Sequence, residues 1–314
     1  MSIKEFISLT KSTFKSMDTE EHIDMYFTRP IGLFFTLICK RLGIHPNAVT
    51  IFSFFLGAAA GWMFLHTDLE HNIYGVIFLL FANFCDSIDG QLARMTGKTS
   101  LVGRMLDGFA SDVWFFCVYV AICIRLFNEN IPGTEIHWGG FIWALCIAAG
   151  IMAHARQCRL SDYYRNIHLF FLLGKKGSEL DSYESQKAVA DKYRADKNWV
   201  GVLFFSNYAK YCGAQERMTP AFQALKRDLI DRYGSLDNVP QEFRDDFRKG
   251  SLPLMKYTNF LTHNWRAIVL FTGCLINLPW IYPVFELTVM MVVFYYMHYK
   301  HEKLCNNLRL RWHA

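Results

Sequence analysis

No uninterrupted apolar stretch opens the chain: between Met1 and Pro30, single hydrophobic residues alternate with Lys, Glu and Asp. A cleavable leader is therefore not expected, and entry into a membrane has to use an internal segment. None of the nine cysteines stands in a CxxC pair. An odd number of isolated thiols, set mostly inside apolar segments, argues against zinc ribbons and disulfide frameworks and reads as reduced packing residues. No Lys/Arg tract is interleaved with aromatic residues and the net charge is only +5, so nucleic acid is not an expected partner. Internal repeats and low-complexity tracts are missing as well, and no Ser, His and Asp grouping suggests hydrolysis.

What is present is hydrophobicity in blocks. Of 314 residues 52% are hydrophobic and 16% aromatic, and the charges gather between Cys158 and Leu261. Apolar stretches near the roughly 20 residues that span a bilayer recur at 49–65, 73–84, 105–127, 138–152, 267–276 and 284–297. The connections 66–72, 128–137 and 277–283 hold no Lys or Arg, whereas Arg94, Lys98 and Arg104 follow the second span and Lys300, Lys303, Arg309 and Arg311 follow the last. The positive-inside rule then places both termini, the second connection and the long insertion in the cytoplasm, with Arg125 the one basic residue near an outer end. The expected fold is all-α: an integral membrane six-transmembrane-helix bundle, multi-pass, with a helical cytoplasmic insertion. Its parts are 1–48 (cytoplasmic and interfacial), 49–157 (spans one to four), 158–262 (insertion), 263–300 (spans five and six) and 301–314 (tail).

Residues 23–42 combine Met25, Phe27, Ile31, Phe34, Phe35 and Ile38 with Arg29, Lys40 and Arg41. This predicts an amphipathic helix entered at Arg29-Pro30 and lying on the cytoplasmic leaflet. In the insertion, 184–197 and 217–232 look helical, and Phe170, Phe171, Phe204 and Phe205 are expected to dip into the membrane interface.

The chemistry concentrates in Asp86-Ser-Ile-Asp89-Gly90-Gln-Leu-Ala93-Arg94, then eight residues, then Gly103-Arg-Met-Leu-Asp107-Gly-Phe-Ala-Ser111-Asp112. Asp86 and Asp89, three apart, share a helix face. Asp107 and Asp112 begin the next span, and a helical hairpin would bring all four to one depth. Carboxylates crowded near lipid need counter-charge. Oxygen-only ligands favour Mg2+ or Mn2+, and two such ions about 4 Å apart clamp a pyrophosphate and promote attack by a hydroxyl. Gly90 and Ala93 leave room for a nucleotide against the helix, and Arg94 offers a fork of donors to phosphate.

This pattern, DxxDGxxAR followed after eight residues by GxxxD and a further Asp, resembles the signature of the CDP-alcohol phosphotransferase family. The resemblance covers roughly 29–165 well and the last two spans in outline, and the six-span plan with its interfacial helix is similar too. It implies that Asp86, Asp89 and Asp107, with Asp112, bind a two-metal centre. It also implies that Gly90, Ala93, Arg94 and Gly103 line the CDP site, joined by Asn47 and Thr50 from a Pro46-Asn47-Ala48-Val49-Thr50 turn like the family's. Family members that accept a phosphorylated polyol carry an Ala-Arg pair where Ala155-Arg156 stands, so Arg156 and Arg159 are implied as acceptor-phosphate ligands; Arg at a span end also simply contacts lipid headgroups. His154 is expected to pack or cap. The implied reaction moves a phospho-alcohol group from CDP to an acceptor hydroxyl with release of CMP, in an active site on the cytoplasmic side. The preferred donor is a CDP-linked lipid such as CDP-diacylglycerol, the preferred acceptor a polar alcohol such as a polyol or inositol phosphate. Membrane lipids surround the enzyme, and the resemblance extends to a homodimer.

One position departs from the family. Its last Asp falls four residues after the third, where this chain has Ser111, and the carboxylate comes one later at Asp112. In a regular helix those positions lie about 40° and about 140° from Asp107. The expectation is a single widened turn near Gly108 that swings Asp112 back into the site as general base; a regular helix would leave Ser111 there instead. Three readings stay open: the transferase, a catalytically altered relative that lost its base, and a divalent-cation transporter using the Asp cluster. A soluble CDP-alcohol with a lipid acceptor is also open.

Overall fold

A computed structural model describes residues 2–313, with the side chains of Leu101, Arg104, Lys176 and His313 outside the described residues. The chain runs through α1 (Ile3–Ser12), α2 (Arg29–Arg41), α3 (Pro46–Phe64), α4 (Leu69–Thr96), α5 (Leu101–Leu126) and α6 (Gly139–Ala148). It continues through α7 (Ala155–Leu173), α8 (Tyr183–Ala195), α9 (Trp199–Met218), α10 (Pro220–Tyr233), α11 (Gln241–Ser251) and α12 (Met255–Phe260). It ends with α13 (His263–Leu275), α14 (Ile281–Phe285) and α15 (Met291–His313). Wide π-helical turns stand at Asp24–Thr28, Ala149–His154 and Glu286–Met290. An isolated bridge between Asn130 and His137 is the only β pairing among the described residues.

Five helices are long and apolar enough to cross a membrane: Pro46–Phe64, Leu69–Thr96, Met105–Leu126, Gly139–Leu173 and Ile281–Trp312. They contain five of the six expected spans. The sixth stretch, 267–276, falls in α13, whose 13 residues extend about 20 Å, short of a hydrocarbon core of about 30 Å. Helix α4 runs past the apolar stretch 73–84 to Thr96 and closes at Gly97, where a φ of +67° suits the missing Cβ. The whole DxxDGxxAR motif therefore sits on regular helix. The helical run that begins at Gly139 likewise continues past residue 157 to Leu173.

The chain forms two compact units, residues 1–154 with 263–289 and residues 155–262 with 290–314. In the first, Phe64, Leu79, Trp114, Val118, Ile122, Ile142, Leu270 and Tyr282 make a buried core. Helices α3 and α5 approach through a Gly57-Ala-Ala-Ala-Gly61 stripe, the small-residue spacing that lets helices meet without a layer of side chains. A Cβ on Gly57 would fall 2.1 Å from Trp114 Cδ1, and one on Gly61 would fall 2.9 Å from Cys117 Cβ. Gly57→Val is accordingly expected to cost about 1–3 kcal/mol or more through overpacking. Thermal unfolding in detergent checks this, and an unchanged melting temperature would mean that Trp114 is free to move away.

Helix α2 continues directly out of the wide turn Asp24–Thr28, so the helical run is entered before the expected Arg29-Pro30, and it packs Ile31, Phe35 and Cys39 against Phe84, Cys85 and Ile88 of α4. Gln91 Nε2 donates to the Arg29 carbonyl at 3.0 Å and so ties the two helices together. Phe34, Ile38 and Leu42, one turn apart, remain exposed at 56%, 42% and 68%.

The second unit corrects one expectation. Phe170, Phe171 and Phe205 are core residues rather than interface residues, exposed by only 5%, 1% and 3%. Phe171 packs on Phe243 and Phe247, and Phe205 stacks on Tyr193. Burial in a helical core of its own satisfies these rings without lipid. The helical runs expected at 184–197 and 217–232 correspond to α8 and to α10, which starts only at Pro220 because Pro suits a first turn.

Candidate active site

Helices α4 and α5 carry the carboxylates. Asp86 and Asp89 lie on one face of α4, Asp86 half-buried and Asp89 exposed by only 4%. The Asp107 carboxyl on α5 reaches hydrogen-bonding distance of Asp86 and stands close enough to Asp89 to repel its charge. Thr50 Oγ1 at the start of α3 donates to Asp89 Oδ2 at 2.5 Å. The position expected to line the nucleotide site thus anchors a carboxylate.

Beside them, Arg94 keeps Nε and Nη2 buried without a hydrogen-bond partner among the described residues. Its neighbours include the charges of Arg29, Glu20, Asp107 and Asp89, and Glu20 holds Arg29 Nε at 3.1 Å. Buried guanidinium donors left unpaired are costly, so they suit a ligand anion. A Cβ on Gly90 would lie 3.4 Å from Arg94 Nη1, so the side-chain-free backbone of Gly90 adjoins these donors. In the first turn of α5, one turn before Asp107, a Cβ on Gly103 would fall 2.8 Å from Asn47 Oδ1, and Ser100 caps the helix by accepting from the Gly103 N–H at 2.9 Å. Asn47 and Gly103, both expected in the nucleotide site, are therefore in contact.

The widened turn expected near Gly108 is absent: α5 is α-helical throughout Leu101–Leu126. With a regular helix, Asp107, Ser111 and Trp114 share the face toward α3 and α4, while Asp112, Phe115 and Tyr119 share another. The Asp112 side chain is 57% exposed and its Oδ1 lies 4.0 Å from His154 Nε2. Asp112 thus leaves the other three carboxylates and joins a group built on His154. The reason is phase, since nothing unwinds α5 to absorb the extra residue.

That group is composed of residues whose roles sequence reasoning missed. His154 Nδ1 lies 3.1 Å from both Glu286 Oε1 and Arg266 Nη1. Arg266 Nη1 also donates to Glu286 Oε1, Tyr119 OH to Glu286 Oε2, and Tyr282 OH to Glu286 Oε1. Arg266 and Glu286 are 1% and 0% exposed. The lone Glu within Pro283-Val-Phe-Glu286-Leu-Thr-Val-Met was the available signal, because an acid inside an apolar run marks function or a buried partner. Nearby His263, its ring against Trp114 and Phe115, is pushed down to about 4 by burial and is neutral.

Arg156 and Arg159 belong to the second unit. Arg156 is exposed, whereas the Arg159 guanidinium lies 5.2 Å over the Tyr211 ring and its carbonyl accepts from Gln215 Nε2 at 3.0 Å.

The carboxylates suit a hard divalent ion. Asp86 and Asp107 within hydrogen-bonding reach, with Asp89 beside them, require a shared proton or a cation. Among the described residues no group of three or more His, Cys, Asp or Glu side chains is placed to hold a metal ion. Mg2+ commonly takes only one or two carboxylates and completes its shell with water and substrate phosphate.

The structure thus sets Asp86, Asp89 and Asp107 beside the unsatisfied donors of Arg94, in an all-helical chain with five helices long and apolar enough to cross a membrane. Residues 43–167 match the model of the CDP-alcohol phosphatidyltransferase family. The chain is similar to the archaetidylinositol phosphate synthase of Pyrococcus horikoshii, 42% identical over 66 residues, covering 21% of this chain and 34% of that protein. It is also similar to the CDP-diacylglycerol–serine O-phosphatidyltransferase of Bacillus subtilis, 38% identical over 71 residues, covering 22% and 38%. The phosphatidylinositol phosphate synthase of Streptomyces avermitilis is 33% identical over 82 residues, covering 26% and 32%. The chain spans about a third of the length of each of these relatives.

Proposed function

We propose that the protein is a membrane-embedded CDP-alcohol phosphotransferase that moves a phosphatidyl-type group from a CDP-linked lipid to the hydroxyl of a polyol or polyol phosphate, releasing CMP. The observation that carries this reading is the Asp86, Asp89 and Asp107 group set beside the unpartnered donors of Arg94. Asp86, Asp89 and Asp107 would hold Mg2+ or Mn2+, which when bound neutralises the pyrophosphate and stabilises the leaving CMP. Arg94 binds phosphate oxygens, and Gly90, Ala93, Gly103 and Asn47 leave the nucleotide room against the helices. Ser111 stands on the face of the Asp86, Asp89 and Asp107 group, and Asp112, exposed on the neighbouring face of α5, takes the proton of the acceptor hydroxyl. The Lys and Arg distribution supports a cytoplasmic face for this end of the bundle, and the exposed Phe34, Ile38 and Leu42 stripe of α2 supports an interfacial position for that helix.

Two of the three relatives are named for making inositol phosphate lipids, which favours a phosphorylated polyol acceptor. Offering CDP-diacylglycerol with serine, glycerol phosphate, inositol and inositol phosphate, and identifying the lipid product by mass spectrometry, tests the assignment. The phosphorylated acceptors are expected to react fastest. Arg156→Ala is then expected to raise the KM for the phosphorylated acceptor about 10- to 100-fold, the worth of a charge-assisted hydrogen bond of about 1.5–3 kcal/mol. The donor KM stays put. Equal losses for donor and acceptor would return Arg156 to a headgroup contact.

A further inference from the structure

We propose that His154 is a positioning residue for Asp112, held in place by the buried Glu286–Arg266 pair; this rests on the transferase reading above. The residues come from four parts of the first unit: Asp112 from α5, His154 from the wide turn before α7, Arg266 from α13 and Glu286 from the wide turn after α14. His154 presents two edges. Its Nδ1 edge lies 3.1 Å from both Glu286 Oε1 and Arg266 Nη1, and its Nε2 edge lies 4.0 Å from Asp112 Oδ1. The ring is also packed on Phe115 at 4.8 Å between centroids and stands edge-on to Tyr119 at 6.2 Å. It is left with little freedom to turn.

The arrangement is expensive for a mere staple. A fully buried Arg and Glu within a membrane bundle lose hydration that hydrophobic residues of the same size would never require. Glu286 is nonetheless surrounded by Arg266, His154, Tyr119 and Tyr282. The chain departs from regular helix twice to build the group, because one wide turn ends on His154 and another begins on Glu286. Such turns shift the phase of the side chains and recur at functional sites. A third departure lies on the same face. Position 111 is Ser, and the carboxylate at 112, 57% exposed, has its Oδ1 4.0 Å from His154 Nε2, within electrostatic reach but not a direct hydrogen bond. The displacement of the carboxylate and the polar support for it fall together, which assigns the cluster the task of orienting Asp112 toward an acceptor hydroxyl.

The test is steady-state CMP release by the full chain in lipid vesicles, from CDP-diacylglycerol and a working acceptor, alongside melting temperatures. His154→Phe keeps the ring's bulk but offers Asp112 no polar edge, and is expected to lower kcat about 100-fold with the donor KM and melting temperature unchanged. His154→Gln places an amide nitrogen near the Nε2 position and is expected to recover about a tenth of the wild-type kcat or more. The paired change Arg266→Met with Glu286→Met removes both charges without stranding either, and is expected to lower kcat as His154→Phe does while the protein remains folded. Wild-type kcat in His154→Phe, or in the folded double variant, overturns the inference alone. Equal kcat losses in the Phe and Gln variants together with a lowered melting temperature also overturn it, in favour of a structural cluster. No CMP release from the wild-type protein overturns the functional reading and this inference with it.

Discussion

Asp107→Asn is expected to reduce CMP release by at least about 1,000-fold, the scale on which a metal-centred electrostatic contribution is lost. The melting temperature of the metal-free protein should hold or rise. Both halves follow from one geometry. The Asp107 carboxyl stands within hydrogen-bonding reach of Asp86 and repels Asp89, so an amide keeps the hydrogen bond to Asp86 and removes a like charge. The same change removes a ligand that a hard cation needs. Sites that trade stability for function behave this way. Asp89→Asn should act alike on turnover, with Thr50 still able to donate to the remaining oxygen. Turnover measured alongside unfolding of purified protein decides the matter. Near-normal turnover in either variant would remove these carboxylates from metal binding, and a steep loss of stability would mark them as structural.

Gly90→Leu is expected to weaken CDP binding by more than about 100-fold, equivalent to about 2.7 kcal/mol. Gly90→Ala should change it little. A Cβ at this position meets Arg94 Nη1 at 3.4 Å and Nη2 at 3.5 Å, a contact the arginine can accommodate by a small shift. A leucine side chain continues into the space those donors face. The helix tolerates leucine better than glycine, so the loss should appear in binding and not in folding. Calorimetric titration of the metal-loaded protein with CDP separates the two. Unchanged affinity in the leucine variant would make Gly90 an ordinary helix position.

The carboxylate motif was legible because its spacing is a helical spacing. Asp86 and Asp89 three apart can only share a face, and the hairpin brings Asp107 to them whatever the rest of the chain does. Three features were not legible. The reach of the helical run starting at Gly139, past the apolar stretch 138–152 to Leu173, does not show in hydrophobicity, because the helix carries polar residues onward. The fate of Asp112 depended on whether one turn of α5 widened, and no residue type there dictates it. The Glu286 group joins residues 132 positions apart, from His154 to Glu286. A single buried acid shows that a partner must exist, and only the fold shows which one.

The most direct measurement is metal-dependent release of CMP from CDP-diacylglycerol by the purified full chain in lipid vesicles. With a polyol phosphate as acceptor, chelation should abolish release, Mg2+ or Mn2+ should restore it, and Asp89→Asn should stay silent at every metal concentration. CMP release that survives chelation, or none from the wild-type protein with any acceptor and either metal, would contradict the account.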